Sequence, residues 1–274
     1  MPSVSTRLGE VVYQTQGEGV PVILLHATLH DHHDFDPIAT RLAKNYNTIA
    51  VDWPWHGESK GLTTTEKLSA PALADVLEDI VAALKLPPAF FIGNSVGGFA
   101  AARLAITHPE YICGLVLVNN GGFINMPFYM PFFCRVLGTP FFARLLMPYM
   151  VPGYMAPQTP EDEAISQHIQ ERARTQTGAT VLAAIWHSFP DPGHDLRSRG
   201  SQIKAPTLIV WGSKDNLFPP HVKHTVQECI PGSKLEVLET GHVVFSSKPD
   251  EFLGVVEPFF KSILELPETG NSAL

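Results

Sequence analysis

Phe90-Phe91-Ile92-Gly93-Asn94-Ser95-Val96-Gly97-Gly98 is the stretch from which the rest of this sequence is read. Three bulky apolar residues form a short buried-strand pattern. An Ala-rich helical pattern follows and stops at His108-Pro109. The corner between them spells Gly93-x-Ser95-x-Gly97. A serine on so sharp a turn takes strained dihedrals, and side chains two residues to either side would collide with the approaching strand and helix. The helix start also aims free N–H groups and a positive dipole end at the serine. The bare spacing is common, and an ordinary exposed serine on a strand–turn–helix corner has the same spelling. The strand before it and the helix after it give the motif its weight.

Outward from this corner, residues 22–25, 48–51, 115–118 and 207–210 are further short apolar runs, and 234–238 is a weaker, alternating one. Runs apolar on both faces predict a parallel sheet covered on both sides. Residues 9–15 alternate and predict an antiparallel edge strand. Helical patterns lie between: 35–44, 68–84 ending before Pro87-Pro88, 96–107, 219–229 opening on prolines, and 249–264. The alternation predicts an α/β domain with a doubly wound, mostly parallel sheet.

Residues 122–199 break the rhythm. Their first part is rich in Phe, Met, Tyr and Pro; the second, 160–188, is a polar-then-apolar helical pattern with Glu161, Asp162 and Glu163 in its first turn. The expectation is an inserted helical cap at 122–199 on a core made of 1–121 and 200–274.

The chain has 274 residues, 45% of them hydrophobic and 17% charged, which suits one large core and argues against disorder. Nineteen basic against 27 acidic residues give a net charge of -8. That balance argues against nucleic acid or an anionic membrane surface as the main partner. Cys113, Cys134 and Cys229 are too few and too scattered for a disulfide framework or a zinc knuckle. The first residues lack an apolar signal core, and no run is long enough to span a membrane, so a soluble cytoplasmic protein is expected. Ser272-Ala273-Leu274 loosely echoes a peroxisomal tail but lacks its basic middle residue, and is taken as chance.

Four more segments, in order, complete a pattern. They are Leu24-Leu25-His26-Ala27-Thr28, then 52–59 (Asp-Trp-Pro-Trp-His-Gly-Glu-Ser), then Trp211-Gly212-Ser213-Lys214-Asp215, and last Thr240-Gly241-His242 leading to Lys248-Pro249. With the Ser95 corner they resemble the α/β-hydrolase fold family: its His-Gly-x segment, its D-x-x-G-x-G-x-S turn, the strand end bearing the triad acid, and the loop bearing the triad histidine. Ala27 stands where the family usually has Gly, and Trp55 replaces the first Gly of the D-x-x-G turn. Alanine should leave its loop near the usual path; Trp55 implies a turn of somewhat different shape.

The resemblance implies Ser95 as nucleophile, His242 as its base and Asp215 as the group orienting that base, in the chain order the fold uses. The rival acid position, at the end of the preceding strand, holds Asn119-Asn120, which cannot carry the charge. An oxyanion hole is expected from the backbone N–H groups of Val96 and Thr28, with the Thr28 hydroxyl a candidate third donor. His30-Asp31-His32-His33-Asp34 invites a metal reading, but the residue that would complete an H-x-H-x-D-H pattern is Phe35. Capping of the next helix is the blander account, with His30 left at the pocket mouth. Neither a metal nor a cofactor is expected.

The expected chemistry is acyl transfer on a medium-sized hydrophobic ester or lactone. Phe123, Phe128, Met130, Phe133, Trp186 and Val243 are candidate pocket liners, each of which is also suited simply to packing the cap on the core. Serine, rather than aspartate, at position 95 disfavours dehalogenase and epoxide hydrolase chemistry. Carbon–carbon bond hydrolysis or lysis, and a weakly catalytic ligand receptor on the same scaffold, stay open. The natural substrate and the oligomeric state are not legible.

Overall fold

The computed structural model describes residues 1–265; the Ser272-Ala273-Leu274 tail lies outside them. In chain order the strands are β1 (Ser3–Thr6), β2 (Gly9–Gln16), β3 (Pro21–Leu25), β4 (Asn47–Val51), β5 (Lys60–Gly61), β6 (Ala89–Asn94), β7 (Ile112–Val118), β8 (Thr207–Gly212) and β9 (Lys234–Leu238). The helices are α1 (Asp36–Leu42), α2 (Ala70–Leu84), α3 (Val96–Thr107), α4 (Met130–Leu137), α5 (Pro140–Met155), α6 (Pro160–Arg174), α7 (Gln176–Ser188), α8 (Val222–Cys229), α9 (Val244–Ser247) and α10 (Pro249–Leu264).

The strands lie in the order β1-β2-β4-β3-β6-β7-β8-β9, with β5 hydrogen-bonded to β2. From β4 to β9 all pairings are parallel. Alternate residues of the central strands feed two cores. Ile23, Leu25, Phe91, Leu115, Leu117, Ile209 and Trp211 face one side. Val22, Leu24, Phe90, Ile92, Val116, Val118, Leu208 and Val210 face the other. Both faces are buried, so these strands read as unbroken apolar runs rather than alternating ones. Each such side chain contributes about 1.5–3 kcal/mol of burial free energy.

The chain winds from β3 one way to β4 and the other way to β6, making the β3/β6 boundary a switch point, where such sheets open a crevice at their carboxyl ends. The segment after β3 carries Thr28, and the residue after β6 is Ser95.

Several boundaries differ from expectation for local reasons. Strand β2 is not the edge: β1 pairs outside it in antiparallel register, with Ser3 opposite Val12. Its four residues, Ser-Val-Ser-Thr, are too short and polar to announce a strand. Helix α2 starts at Ala70 because Ser69 is its cap, the hydroxyl accepting from Ala72 N–H at 3.1 Å, and it stops at Lys85 in the left-handed conformation. The single helical pattern at 160–188 is two helices. Thr175 is extended there, and its hydroxyl accepts from Gly178 N–H at 2.9 Å, at the point where polar composition gives way to apolar.

No strand lies between β7 and β8; that interval holds α4, α5, α6 and α7. This insertion is fastened to the sheet's carboxyl edge by backbone. His242 N–H donates to the Tyr154 carbonyl at 3.0 Å, and the Met155 carbonyl abuts Gly241 so closely that a Cβ there would sit 1.8 Å from its oxygen. No single helix among the described residues is long and apolar enough to cross a membrane.

A Cβ on Gly97 would lie 2.3 Å from the Leu25 carbonyl oxygen, which is backbone and cannot swing aside. Gly97→Ala is therefore expected to cost at least about 2–3 kcal/mol, read as a lowered denaturant midpoint; an unchanged midpoint would show that β3 and α3 can separate.

Candidate active site

Ser95 caps α3 from the corner with φ 55° and ψ -115°, a left-handed backbone that a side-chain-bearing residue adopts only under constraint. The constraint is a set of close approaches. Ser95 N–H donates to the Val118 carbonyl at 3.0 Å, and the Ser95 carbonyl accepts from Phe99 and Gly121. A Cβ on Gly93 would be 2.6 Å from the Gly97 carbonyl oxygen, and one on Gly98 would be 2.5 Å from the Asn120 Cβ. The glycines are thus fixed by crowding, as the motif's spacing implies.

Asp215 follows β8 and His242 follows β9. His242 Nδ1–H donates to Asp215 Oδ2 at 2.6 Å, with both side chains almost wholly buried. Asp215 is satisfied from two further directions, by Asn119 Nδ2–H at 2.5 Å on the same oxygen and by Leu217 N–H at 2.9 Å on the other. Asn119 Oδ1 in turn accepts from Gly212 N–H. The asparagine at the rival acid position is the group that holds the acid in place, with its own backbone at φ 40°. Asn94 donates to the carbonyls of Val118 and His242, both at 3.0 Å, tying the histidine loop to the serine strand.

Ser95 and His242 line one cavity, which encloses about 840 Å³ of atom-free space, part of it open to solvent. No hydrogen bond joins the Ser95 hydroxyl to the imidazole; such bonds commonly tighten only around a substrate. Thr28 and Val96 line the same cavity, and among the described residues neither backbone N–H is taken up by another protein group. The first N–H groups of a helix are left over in this way. The Thr28 hydroxyl oxygen is buried without a partner.

Met130, Trp186 and His30 line the cavity; Phe123, Phe128, Phe133 and Val243 do not. Phe123 and Val243 are fully buried in the two cores. Phe128 is 96% exposed, on the outer side of the insertion. Phe133 stacks edge-on against Trp186 from behind. Composition announced an aromatic segment but not which way each ring turns. The apolar lining comes instead from Leu29, Ile124, Met126, Met147, Leu182, Phe189, Leu217 and Phe218. Cys134 also lines the cavity, and burial pushes its thiol up to about 11, so it stays neutral.

The histidine–aspartate cluster disperses. His30 Nδ1–H donates to Asp34 at 2.6 Å, His32 pairs with Asp52, and His33 reaches Asp36. The described residues hold no group of three such side chains placed to share a metal. Asp31 caps the short 3-10 turn at His32–Phe35 by accepting from His33 N–H. Burial works to raise the Asp52 pKa, but the hydrogen bond from His32, the nearby His26 and the Glu58 N–H outweigh it, and the carboxyl sits below its usual value. His30 Nε2 faces the Tyr154 hydroxyl at 3.5 Å.

Three residues of the site gave no signal in the sequence. Tyr154 packs edge-on against His242 from α5, and burial raises its pKa, keeping it a neutral phenol. Arg172, on α6, donates to the carbonyls of Leu29, His30 and Trp55. Leu29 and Trp55 both have positive φ, at 71° and 63°, so one guanidinium holds both strained turns beside the cavity. Here lies the shape change that Trp55 implied: its indole donates to Leu62 and fills the space over Gly61. His194 lines the cavity between Phe99 and Phe189. Its Nδ1–H donates to the Phe189 carbonyl at 3.1 Å, leaving Nε2 a buried acceptor without a protein partner.

Residues 22–255 match the alpha/beta hydrolase family. The chain is 28% identical over 272 residues to a 2-hydroxy-6-oxononadienedioate/2-hydroxy-6-oxononatrienedioate hydrolase of Burkholderia vietnamiensis, covering 92% of this chain and 91% of that one. It is 26% identical over 264 residues to a pimeloyl-[acyl-carrier protein] methyl ester esterase of Aliivibrio fischeri, covering 90% and 96%. Its fold superposes with TM-score 0.80 on the enol-lactonase of Burkholderia xenovorans at 21% identity, covering 95% of this chain and all of that one. The chain belongs to the alpha/beta hydrolase family and is an enzyme of the hydrolase class.

Two expected outcomes test the surroundings of the dyad. Arg172→Ala leaves three backbone carbonyls short of a buried donor. It should lower unfolding free energy by about 2 kcal/mol or more and reduce kcat, both checked on one preparation by denaturation and steady-state rates. Burial lowers the His194 pKa to about 4 from 6.5. Between those values the unfolded chain binds the proton and the folded one does not, so stability falls as pH drops from about 6.5 towards 4, by roughly 3 kcal/mol. His194→Phe should flatten this part of the plot of unfolding free energy against pH.

Proposed function

We propose that this hydrolase cleaves an ester or lactone bond of a medium-sized, uncharged, hydrophobic molecule through an acyl-enzyme on Ser95. The observation that carries the reading is the buried Asp215–His242 pair at 2.6 Å, opening on the same cavity as a serine held in a strained corner. Ser95 Oγ attacks the substrate carbonyl while His242 Nε2 takes its proton. Asp215 holds Nδ1–H, keeps the other nitrogen free as base, and stabilises the imidazolium that forms. The developing oxyanion is met by the Val96 and Thr28 N–H groups, each worth about 3 kcal/mol in the transition state. The protonated His242 gives its proton to the leaving alcohol oxygen. A water then attacks the acyl-enzyme, again losing a proton to His242, and the acid departs with Ser95 restored.

Two features support the substrate class. The lining is mostly Met, Leu and aromatic, and no Lys or Arg lines the cavity among the described residues, so no cation stands ready for a substrate carboxylate. The esterase and lactonase likenesses point the same way. Carbon–carbon bond hydrolysis is the second reading, favoured by the likeness to the Burkholderia vietnamiensis hydrolase. The insertion α4–α7 acts as the cap of the site, with Met130, Met147, Leu182 and Trp186 turned towards the substrate.

Ser95→Ala is expected to abolish labelling by a fluorophosphonate probe and to lower kcat by about 10⁴-fold or more, and Asp215→Asn by about 10⁴-fold. A panel of neutral acyl esters and lactones, with a β-diketone beside them, reads the bond type. Labelling that survives Ser95→Ala would move the nucleophile elsewhere; turnover of the diketone alone would favour the second reading.

A further inference from the structure

Seven of the eleven large apolar side chains exposed among the described residues fall between 128 and 149. That is a concentration, not the scatter normal for a soluble surface. Helical spacing sorts them into stripes. Phe128 lies in the turn that leads into α4, and Phe132 and Arg135 follow at three-residue spacing on α4 itself. Phe141, Leu145 and Tyr149 recur every four residues along α5. Phe132 is 71% exposed, Phe141 69% and Tyr149 78%. The two helices meet at a bend of 105°, so they form an elbow rather than a rod long enough to span a bilayer.

The charges carried by this segment are one-sided. From Glu110 to Glu161 the sequence has no carboxylate between the two, and its only charged side chains there are Arg135 and Arg144, in a chain of net charge -8. Both arginines are exposed, and among the described residues neither is in an ion pair. Exposed Phe and Tyr rings with arginine and no acid are the composition of a surface that sits at a lipid–water boundary, rings in the acyl region and guanidinium groups at phosphate. A second copy of the chain fits less well. A two-fold contact here would bring four arginines together with no carboxylate from this segment to answer them. The chain-wide negative balance, which argues against an anionic membrane, averages over this distribution.

We propose that the outer face of the α4–α5 elbow is a lipid-docking surface, binding phospholipid by Phe128, Phe132, Phe141 and Tyr149 with Arg135 and Arg144 on the headgroups. The proposal does not depend on the bond the enzyme cleaves. It does bear on supply. The opposite sides of the same helices present Met130, Cys134 and Met147 to the cavity, so docking brings the site within one helix thickness of an apolar phase.

The test is co-sedimentation of the full chain with phosphatidylcholine vesicles and with vesicles about one-third phosphatidylglycerol. The wild type should pellet with both, and more with the anionic ones at low salt. Phe132→Ser/Phe141→Ser/Tyr149→Ser should lose at least about tenfold in vesicle partitioning, with its hydrolysis of a water-soluble ester and its thermal unfolding unchanged, since none of the three lines the cavity. Arg135→Gln/Arg144→Gln, which leaves every apolar contact in place, should keep binding to phosphatidylcholine and lose the preference for anionic vesicles. A wild type that stays in the supernatant with both vesicles overturns the proposal. So does a triple-serine variant that pellets like the wild type, or a wild-type dimer in light scattering that the triple variant turns into monomer.

Discussion

Between Gly97 and the carbonyl of Leu25 there is no room for a methyl group, and that close approach is what the site is built on. It presses the start of α3 against the end of β3. The serine corner, the free Val96 N–H and the loop carrying Thr28 then meet around one point, at the place where the sheet's winding reverses. The left-handed backbone of Ser95 follows from the same crowding. Hydrogen bonds from Ser95 N–H to Val118 and to the Ser95 carbonyl from Phe99 and Gly121 hold it in a conformation that it would leave if the neighbours relaxed.

Around that corner, buried carboxylates act as fixed points because each is surrounded by donors. Asp215 receives His242, Asn119 and Leu217. Asp52 receives His32 twice, from ring and backbone, and Glu58 N–H. Asp162, at the start of α6, accepts from Ser246 Oγ at 2.7 Å and from Gln158 N–H, joining the insertion to the turn after His242. A charge buried this way stabilises only while its whole donor set is present. These bonds tie together the loops at the sheet's carboxyl edge, which have little regular structure.

The parts of this architecture that the sequence announces are those governed by periodicity and by crowding. The central strands are visible because burial on both faces leaves no polar residue in Val22 to Leu25 or Leu115 to Val118. Ser95, Asp215 and His242 stand out as candidates because each follows the end of a strand. What stays hidden depends on direction and distance. Phe128 and Trp186 look alike in composition, yet one faces solvent and the other the cavity. Arg172 lies 117 residues from Trp55 in the chain and touches its carbonyl, a meeting that no local pattern encodes. Asn119 is visible as an amide where an acid is absent. That it grips the acid of the neighbouring strand emerges only once β7 and β8 are paired.

The insertion is attached unevenly to the rest of the chain. Helix α5 ends with its Tyr154 carbonyl on His242 and its Met155 carbonyl against Gly241, while α6 holds the turns at Leu29 and Trp55 through Arg172. Lifting either helix would strip hydrogen bonds from the loops at His242, Leu29 and Trp55. Helix α4 bears no such duty; among the described residues its hydrogen bonds stay within itself and its flanks. Displacing α4 would therefore break none of the hydrogen bonds that hold His242, Asp215, Leu29 and Trp55 in place.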